Sequence, residues 1–121
     1  SEDLTLNGFL DLLSIDSDGK TVITDFKTSK KRLSAHELDS HAQLTIYSIF
    51  KPESRLHLAV FLKQKDPKLE IMETWRTQEQ RNRVIKRILA VRDAMQKEVW
   101  YAVESYICGN CPYFQQCHKD F

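Results

Sequence analysis

Hydrophobic and polar residues alternate along four stretches of the chain, and this two-residue period is typical of β-strands. The pattern predicts strands at 4–13, 20–27, 55–63 and 69–75. In the first stretch both faces are largely apolar, with Leu4, Leu6, Leu10 and Leu12 on one face and Phe9, Asp11 and Leu13 on the other. We therefore expect the first strand to lie centrally in a sheet that is covered on both faces.

A helix is predicted between the second and third strands. Ser34 and Glu37 form a capping box that starts a helix at Ala35, and the helix ends near Phe50 because Pro52 follows. The residues expected to face the core recur at helical spacing: Leu38, Ala42, Thr45, Ile46 and Ile49. His36 and His41 have no evident partner in the sequence, so both are interpreted as surface residues.

A second, longer helix is predicted after the fourth strand, because Thr77 and Gln80 form another capping pair. Its expected core residues are Val84, Ile88, Val91 and Met95. Its first half is rich in cations, which are assigned to a charged outer face or, as the alternative, to contacts with a phosphate backbone: Arg76, Arg81, Arg83, Lys86 and Arg87. The hairpin at 55–75 is assigned to the scaffold.

The order strand, strand, helix, strand, strand, helix predicts an α/β fold with a mixed β-sheet flanked by helices. At 121 residues the chain is long enough for one such core. We predict a folded core at 1–105 and a cysteine-rich C-terminal segment at 106–121 that packs on the same domain.

The first predicted hairpin carries the clearest chemical signal. The turn at 17–19 ends in Gly19, which predicts a three-residue loop with Asp16 opposite Lys20. This register places Asp11 opposite Asp25, on the same face as Lys27. Two opposed carboxylates repel each other, and a hard divalent cation between them would remove the repulsion. The alternative is an ordinary pair of solvated surface charges.

Composition narrows the function classes only slightly. The chain is 41% hydrophobic and 29% charged with a net charge of +1, so any contact with nucleic acid must come from a local patch such as the cationic run at 29–32. No stretch is long and apolar enough to span a membrane, and no leader pattern opens the chain. We therefore expect a cytoplasmic protein.

All three cysteines lie near the end of the chain, at Cys108, Cys111 and Cys117. In an intracellular protein this clustering favours a metal site over a disulfide framework. An iron–sulfur cluster needs four thiolates, and structural zinc needs three cysteines with a histidine or a fourth cysteine. His118 directly follows Cys117, which is poor geometry for joint ligation of one ion. Zinc is kept as the alternative.

Four motifs occur in a characteristic order: Gly8-x-x-Asp11, Asp25-x-Lys27-Thr28, Gln43-x-x-x-Tyr47, and Cys108-x-x-Cys111 with Cys117. From about Leu4 to Cys117 the chain resembles RecB-like nucleases of the PD-(D/E)xK superfamily. The resemblance implies a restriction-endonuclease-like core and a Mg²⁺- or Mn²⁺-dependent deoxyribonuclease of the exonuclease type, acting in DNA repair, with DNA and a helicase or other domains of a parent protein as partners.

The resemblance also implies a role for each site residue. Asp11, Asp25 and the Phe26 carbonyl would hold the cation, and Lys27 would position or deprotonate the nucleophile. Gln43 and Tyr47 would orient the nucleic acid or the lysine.

The cysteine tail resembles that of the iron–sulfur subset of these nucleases, in which a fourth cysteine before the first motif completes a 4Fe-4S cluster. The family also has a helix before the first strand. We therefore expect this chain to be part of a longer protein, with a labile cluster, weak activity alone, and a sheet face open to homodimerisation. The alternatives are a non-catalytic nucleic-acid-binding or docking module with the same fold, and a zinc-dependent interaction domain.

Overall fold

The computed structural model describes residues 4–120 of the chain. The strands are β1 (Leu12–Ile15), β2 (Thr21–Ser29), β3 (Arg55–Leu62) and β4 (Lys68–Thr74). The α-helices are α1 (Ala35–Asp39), α2 (Ala42–Phe50), α3 (Gln78–Gln96) and α4 (Phe114–Asp120), and a short 3₁₀ helix spans Tyr106–Asn110. Residues 1–3 and 121 lie outside the described residues. They are the outer ends of the predicted core at 1–105 and of the predicted cysteine-rich segment at 106–121.

The four strands form one mixed sheet in the order β1-β2-β3-β4. Strands β2 and β3 are parallel, whereas β1 and β4 are antiparallel to their neighbours. The parallel pair requires a crossover, and α1 and α2 supply it. The predicted α/β class with a mixed sheet is therefore confirmed.

The turn between β1 and β2 has the predicted conformation. Gly19 has a φ of 75°, in the left-handed region that glycine adopts without strain, and its N–H donates to the Asp16 carbonyl at 3.0 Å. The Asp16 carboxylate accepts the N–H groups of Lys20 and Asp18, both at 2.9 Å. The bond from Lys20, reinforced by the one from Asp18, holds the pKa of Asp16 below its usual value. The strands pair in the predicted register, with Leu12 opposite Thr24.

One face of the sheet carries the core of the domain. The buried cluster joins β2 and β3 to the two short helices through Ile23, Leu38, Leu44, Tyr47, Leu56, Leu58, Val60 and Leu62. Every second residue of β3 belongs to this cluster, as the alternation predicts. Asp25 and Lys27 follow Ile23 at two-residue steps along β2, so they lie on this helix-covered face.

The prediction of a long, central first strand is wrong. Strand β1 is only four residues long and lies at the edge of the sheet, and residues 4–10 form no regular element. Instead, Leu6, Gly8 and Leu10 line a cavity of about 290 Å³ together with Ile23 and Tyr47. The segment therefore borders the core from outside the sheet while its apolar side chains stay exposed, a placement that a strand-like pattern does not reveal.

The single helix predicted from Ala35 is divided into α1 and α2 at Ser40 and His41. The Ser40 hydroxyl donates to the His36 carbonyl at 2.7 Å, which competes with regular helical bonding. At the break, Arg76 donates from Nη2 to the Leu38 carbonyl at 2.8 Å and to the His41 carbonyl at 3.4 Å. As a result, Ala42 is exposed instead of facing the core.

Arg76 is buried and does not belong to a charged outer face, so that assignment is also wrong. Its guanidinium further donates to Thr45 Oγ1 at 2.7 Å and to Thr74 Oγ1 and the Trp75 carbonyl at 2.8 Å each. Burial lowers the pKa of Arg76, and the negative charge of Asp39 opposes this effect. Arg76 thus connects the end of β4 to the junction between α1 and α2.

The opposite face of the sheet carries exposed apolar side chains. Ile71, Ala59 and Phe26 are paired across the strands, as are Leu69, Phe61 and Thr28. The Phe26 and Phe61 rings contact each other with centroids 6.1 Å apart, yet both side chains are more than 40% exposed. Leu69 and Ile71 on the same face are also exposed.

The chain divides into two compact units, one up to Ile85 and the other from Lys86. The first unit contains the whole sheet, and the predicted functional boundary at residue 105 stays a prediction. In α3, the expected core residues Val91 and Met95 are exposed, and no α3 residue is fully buried. Within residues 4–120, no helix combines the length and the apolarity that crossing a membrane requires.

Candidate functional site

Asp25 is the most deeply buried charged residue of the described chain, with a side-chain exposure of 0%. Its Oδ2 forms an ion pair with Lys27 Nζ at 2.9 Å. Its Oδ1 has no hydrogen-bond partner among residues 4–120. Burying a carboxylate is costly unless its oxygens are paired or coordinated. Asp25 Oδ1 is therefore available to coordinate a ligand.

Lys27 lies between the buried Asp25 and solvent, because 38% of its side chain is exposed. Besides its ion pair with Asp25, its Nζ donates to Gln43 Oε1 at 3.0 Å. The ammonium group is thus held by one partner from its own strand and one from α2. It remains accessible to a substrate from the solvent side.

Gln43 and Tyr47 lie one turn apart on α2 and extend the network away from Lys27. Gln43 Nε2 donates to Tyr47 Oη at 2.5 Å, and Tyr47 Oη donates to the Phe9 carbonyl at 2.8 Å. The structure therefore brings together residues that the sequence places on different elements. The bonds also fasten the segment before β1 to α2.

Asp11 immediately precedes β1, and the observed register places it opposite Asp25. Its Oδ2 accepts the Phe26 N–H at 2.9 Å. Continued by one residue beyond Leu12, the register puts Asp11 on the side of the hairpin that carries Asp25, and the Asp11 side chain is exposed.

The donors present fit a hard divalent cation, because they are carboxylate oxygens and one of them is buried without a hydrogen bond. Within residues 4–120, no group of three His, Cys, Asp or Glu side chains is arranged to hold a metal ion. The predicted ligands Asp11, Asp25 and the Phe26 carbonyl thus stay a prediction. Water or substrate oxygens would complete the coordination.

His41 is closer to this site than the sequence indicates. It is half-buried at the junction of α1 and α2, and its Nδ1 is buried without a hydrogen-bond partner in the described chain. Burial lowers its pKa; the charge of Asp25 opposes that shift, and Lys27 and Arg76 reinforce it. The interpretation of His41 as a surface residue is wrong, and no periodic pattern in the sequence distinguishes it from the exposed His36.

His41 gives a testable pH dependence of stability. Because the pKa of folded His41 lies below its ordinary value of 6.5, the unfolded chain binds this proton first as the pH falls. Its contribution to stability is therefore present above that value and is lost as the pH falls below it. We expect His41→Gln to lose less stability than wild type between pH 7 and about 5.5, measured by urea denaturation. The matched variant His36→Gln should behave as wild type, and equal pH dependence in all three proteins would contradict this role.

Tyr47→Phe tests the network that supports Lys27. The change removes the hydroxyl that accepts from Gln43 and donates to Phe9, so the stability loss should be about 1 kcal/mol. Urea denaturation measures this loss. Tyr113→Phe is the matched control, since Tyr113 is exposed. A Tyr47→Phe protein as stable as wild type would show that these hydrogen bonds are replaced by water at no net cost.

The three cysteines all belong to the second unit, where they line a cavity of about 90 Å³ with Glu104 and His118. Cys108 Sγ accepts the Ser105 N–H at 3.3 Å, and the His118 ring lies against Phe114 with centroids 4.4 Å apart. The thiols share a cavity, but in the described chain they are not arranged as a metal site. The three cysteines thus lie together in space as well as in the sequence. Binding of an iron–sulfur cluster or of zinc by these thiols stays a prediction.

Comparisons with known proteins agree with the geometry of the first unit. No curated protein matches the chain by sequence. The sequence model of the PD-(D/E)XK nuclease superfamily matches residues 1–118, which is nearly the whole chain. Members of this superfamily generally use divalent metal ions, in agreement with the paired carboxylates of the hairpin. From the match and from the Asp25, Lys27 and Asp11 arrangement, we conclude that the chain belongs to the PD-(D/E)XK nuclease superfamily.

Proposed function

We propose that this protein is a Mg²⁺- or Mn²⁺-dependent deoxyribonuclease of the RecB-like type that degrades DNA from an end. The observation that supports the proposal best is the buried Asp25, which has one oxygen paired with Lys27 and the other without a hydrogen bond. A carboxylate in this state favours a cation ligand over a structural ion pair, since Lys27 alone does not satisfy it.

Each residue has a separate task in the proposed hydrolysis. Asp25 and Asp11 hold the cation together with the Phe26 carbonyl. When bound, the cation lowers the pKa of a water molecule and neutralises charge on the scissile phosphate. The Lys27 ammonium, which is paired with Asp25 and partly exposed, would stabilise the charge that develops on the phosphate oxygens. Gln43 and Tyr47 keep the lysine aligned, because Gln43 Oε1 accepts a hydrogen bond from Lys27 Nζ.

The direct test is a cleavage assay on linear DNA with Mn²⁺, with Mg²⁺ and with EDTA. We expect cleavage with either metal and none with EDTA. Substrates labelled at one end should release mononucleotides or short oligonucleotides, whereas covalently closed circular DNA should remain intact. A protein that binds DNA but never cleaves it, and that binds Mn²⁺ equally before and after Asp11→Asn, would instead be a docking module.

We also propose that Cys108, Cys111 and Cys117 supply three ligands of a 4Fe-4S cluster, with zinc as the alternative occupant. Support comes from their position on one shared cavity. Anaerobic purification followed by iron, sulfide and zinc analysis tests this, together with the visible absorbance of wild type and Cys111→Ser. Iron and absorbance that are lost in the variant favour the cluster, and stoichiometric zinc favours the alternative. The absence of both metals in wild type would refute the site.

A further inference from the structure

The two ends of the sheet differ in charge. At the end where β2 and β3 finish and β4 begins, segments 29–32 and 63–70 contain six cationic residues and two acidic ones. At the other end, segments 16–20 and 51–55 contain three of each sign, and Arg76, which follows β4 there, is buried. Arg55 forms ion pairs there with Asp16 and Asp18 at 3.3 Å, which neutralises that end further. The net charge of the whole chain conceals this difference.

Strand pairing brings the two cationic segments together. Ser29 is paired with Leu62, and Leu62 is paired with Lys68, so the ends of three strands form one row. The Lys63 N–H donates to the Ser29 carbonyl at 2.7 Å, which holds the β3–β4 turn against the end of β2. We name the lysines of these segments the lysine edge: Lys30, Lys31, Lys63, Lys65 and Lys68.

The lysine edge adjoins the candidate catalytic residues. Lys27 is paired with Val60, which is paired with Glu70, so these residues form the next row on the helix-covered face. Neighbouring strands are about 4.8 Å apart, which places β4 about 10 Å from the strand of Lys27. Arg32 Nε bonds to Glu70 Oε2 at 2.8 Å, so the loop after β2 reaches across to β4 and neutralises its acid.

The lysines themselves have no ion pair within the described chain, and all five are exposed. Of the acids nearby, Glu70 is paired with Arg32, Asp66 lies in the turn, and Glu37 interacts with Lys31 at longer range without forming an ion pair. A cluster of exposed lysines without ion pairs repels itself and attracts a polyanion, because binding releases the counterions condensed on a phosphate chain. The surface therefore fits a ligand that carries regularly spaced negative charges.

We propose that the lysine edge binds the sugar–phosphate backbone of the nucleic acid strand whose neighbouring phosphate lies at Lys27. The proposal rests on the proposed nuclease function and adds the path of the substrate away from the site. The contacts are charge contacts to phosphates and carry no base preference. The β3–β4 hairpin, which the sequence pattern assigns to the scaffold, thus acquires a role in substrate binding.

The test measures binding of a fluorescein-labelled single-stranded oligodeoxythymidine by fluorescence anisotropy in EDTA over a range of salt concentrations. We expect the double variant Lys65→Gln/Lys68→Gln to bind about tenfold more weakly at low salt. The slope of log K against log salt should fall by about 1.4, because a single strand loses about 0.7 per phosphate contact. Lys30→Gln/Lys31→Gln should show the same effects.

The matched control is Lys20→Gln/Lys51→Gln, which removes two exposed lysines from the neutral end of the sheet. It should bind as wild type. Equal weakening by all three double variants would show a general charge effect and overturn the proposal, as would wild-type binding by both lysine-edge variants. A cleavage assay in Mn²⁺ distinguishes a failure of the lysine-edge proposal from a failure of the proposed nuclease function. A wild type that binds through the lysine edge but does not cleave DNA refutes the nuclease function alone.

Discussion

Asp25→Asn is expected to reduce the Mn²⁺-dependent cleavage rate of linear DNA by at least about 100-fold, since the loss of even a supporting residue of a metal site costs 10- to 100-fold. The fold should not be weakened. Asp25 is fully buried with one oxygen unpaired, so replacing the charge by a neutral amide removes a desolvation cost. Lys27 is partly exposed and can turn its ammonium to water. We therefore expect unchanged or higher stability together with lost activity.

Initial rates on end-labelled DNA and urea denaturation followed by circular dichroism measure the two effects. Asp18→Asn is the matched control, because Asp18 is an exposed acid in the turn of the same hairpin. It should keep its rate. If Asp25→Asn cleaves DNA at a near-normal rate, Asp25 is not a ligand. If it instead destabilises the protein strongly, the Asp25 carboxylate has a structural role.

Arg76→Met is expected to destabilise the first unit by about 3–5 kcal/mol, the cost of breaking a buried, hydrogen-bonded charge network. Methionine replaces much of the buried volume but none of the donors. The Leu38 and His41 carbonyls and the hydroxyls of Thr45 and Thr74 would each lose one of their hydrogen bonds. Because Arg76 holds the junction that precedes α2, the loss should also displace Gln43 and lower the cleavage rate of the folded protein.

Denaturation by urea, followed in the far ultraviolet, measures this loss. The matched variant Arg83→Met removes an arginine whose side chain is 67% exposed and pairs with Glu79, so its effect should stay within about 0.5 kcal/mol. If Arg76→Met proved as stable as Arg83→Met, the hydrogen bonds of Arg76 would be replaced by water at no net cost. In that case another contact fixes the junction between the helices.

Features set by short-range chemistry were predictable from the sequence. The turn at Gly19 fixes the hairpin register through local backbone preferences, and the register in turn places Asp11 opposite Asp25. The capping boxes at Ser34 and Thr77 start their helices as predicted. Strands β3 and β4 follow the alternation to within one residue at each end.

Features set by tertiary contacts were not predictable. The break between α1 and α2 depends on Arg76, which is distant in sequence, and an arginine at the start of a charged run gives no sign that it is buried. The segment before β1 has the alternation of a strand but packs against α2, where Tyr47 bonds to the Phe9 carbonyl. Similarly, the partial burial of His41 follows from the same junction.

The hydrogen bonds from Lys27 to Phe9 all run in one direction. The Phe9 carbonyl can only accept, so the Tyr47 hydroxyl must donate to it, and Tyr47 must then accept from the amide nitrogen of Gln43. This fixes the Gln43 side chain with its oxygen toward Lys27. A proton wire built on these groups would end at an atom that has no proton to give. Any proton that Lys27 gains or loses during a turnover must therefore pass through its solvent and substrate side or through the Asp25 carboxylate.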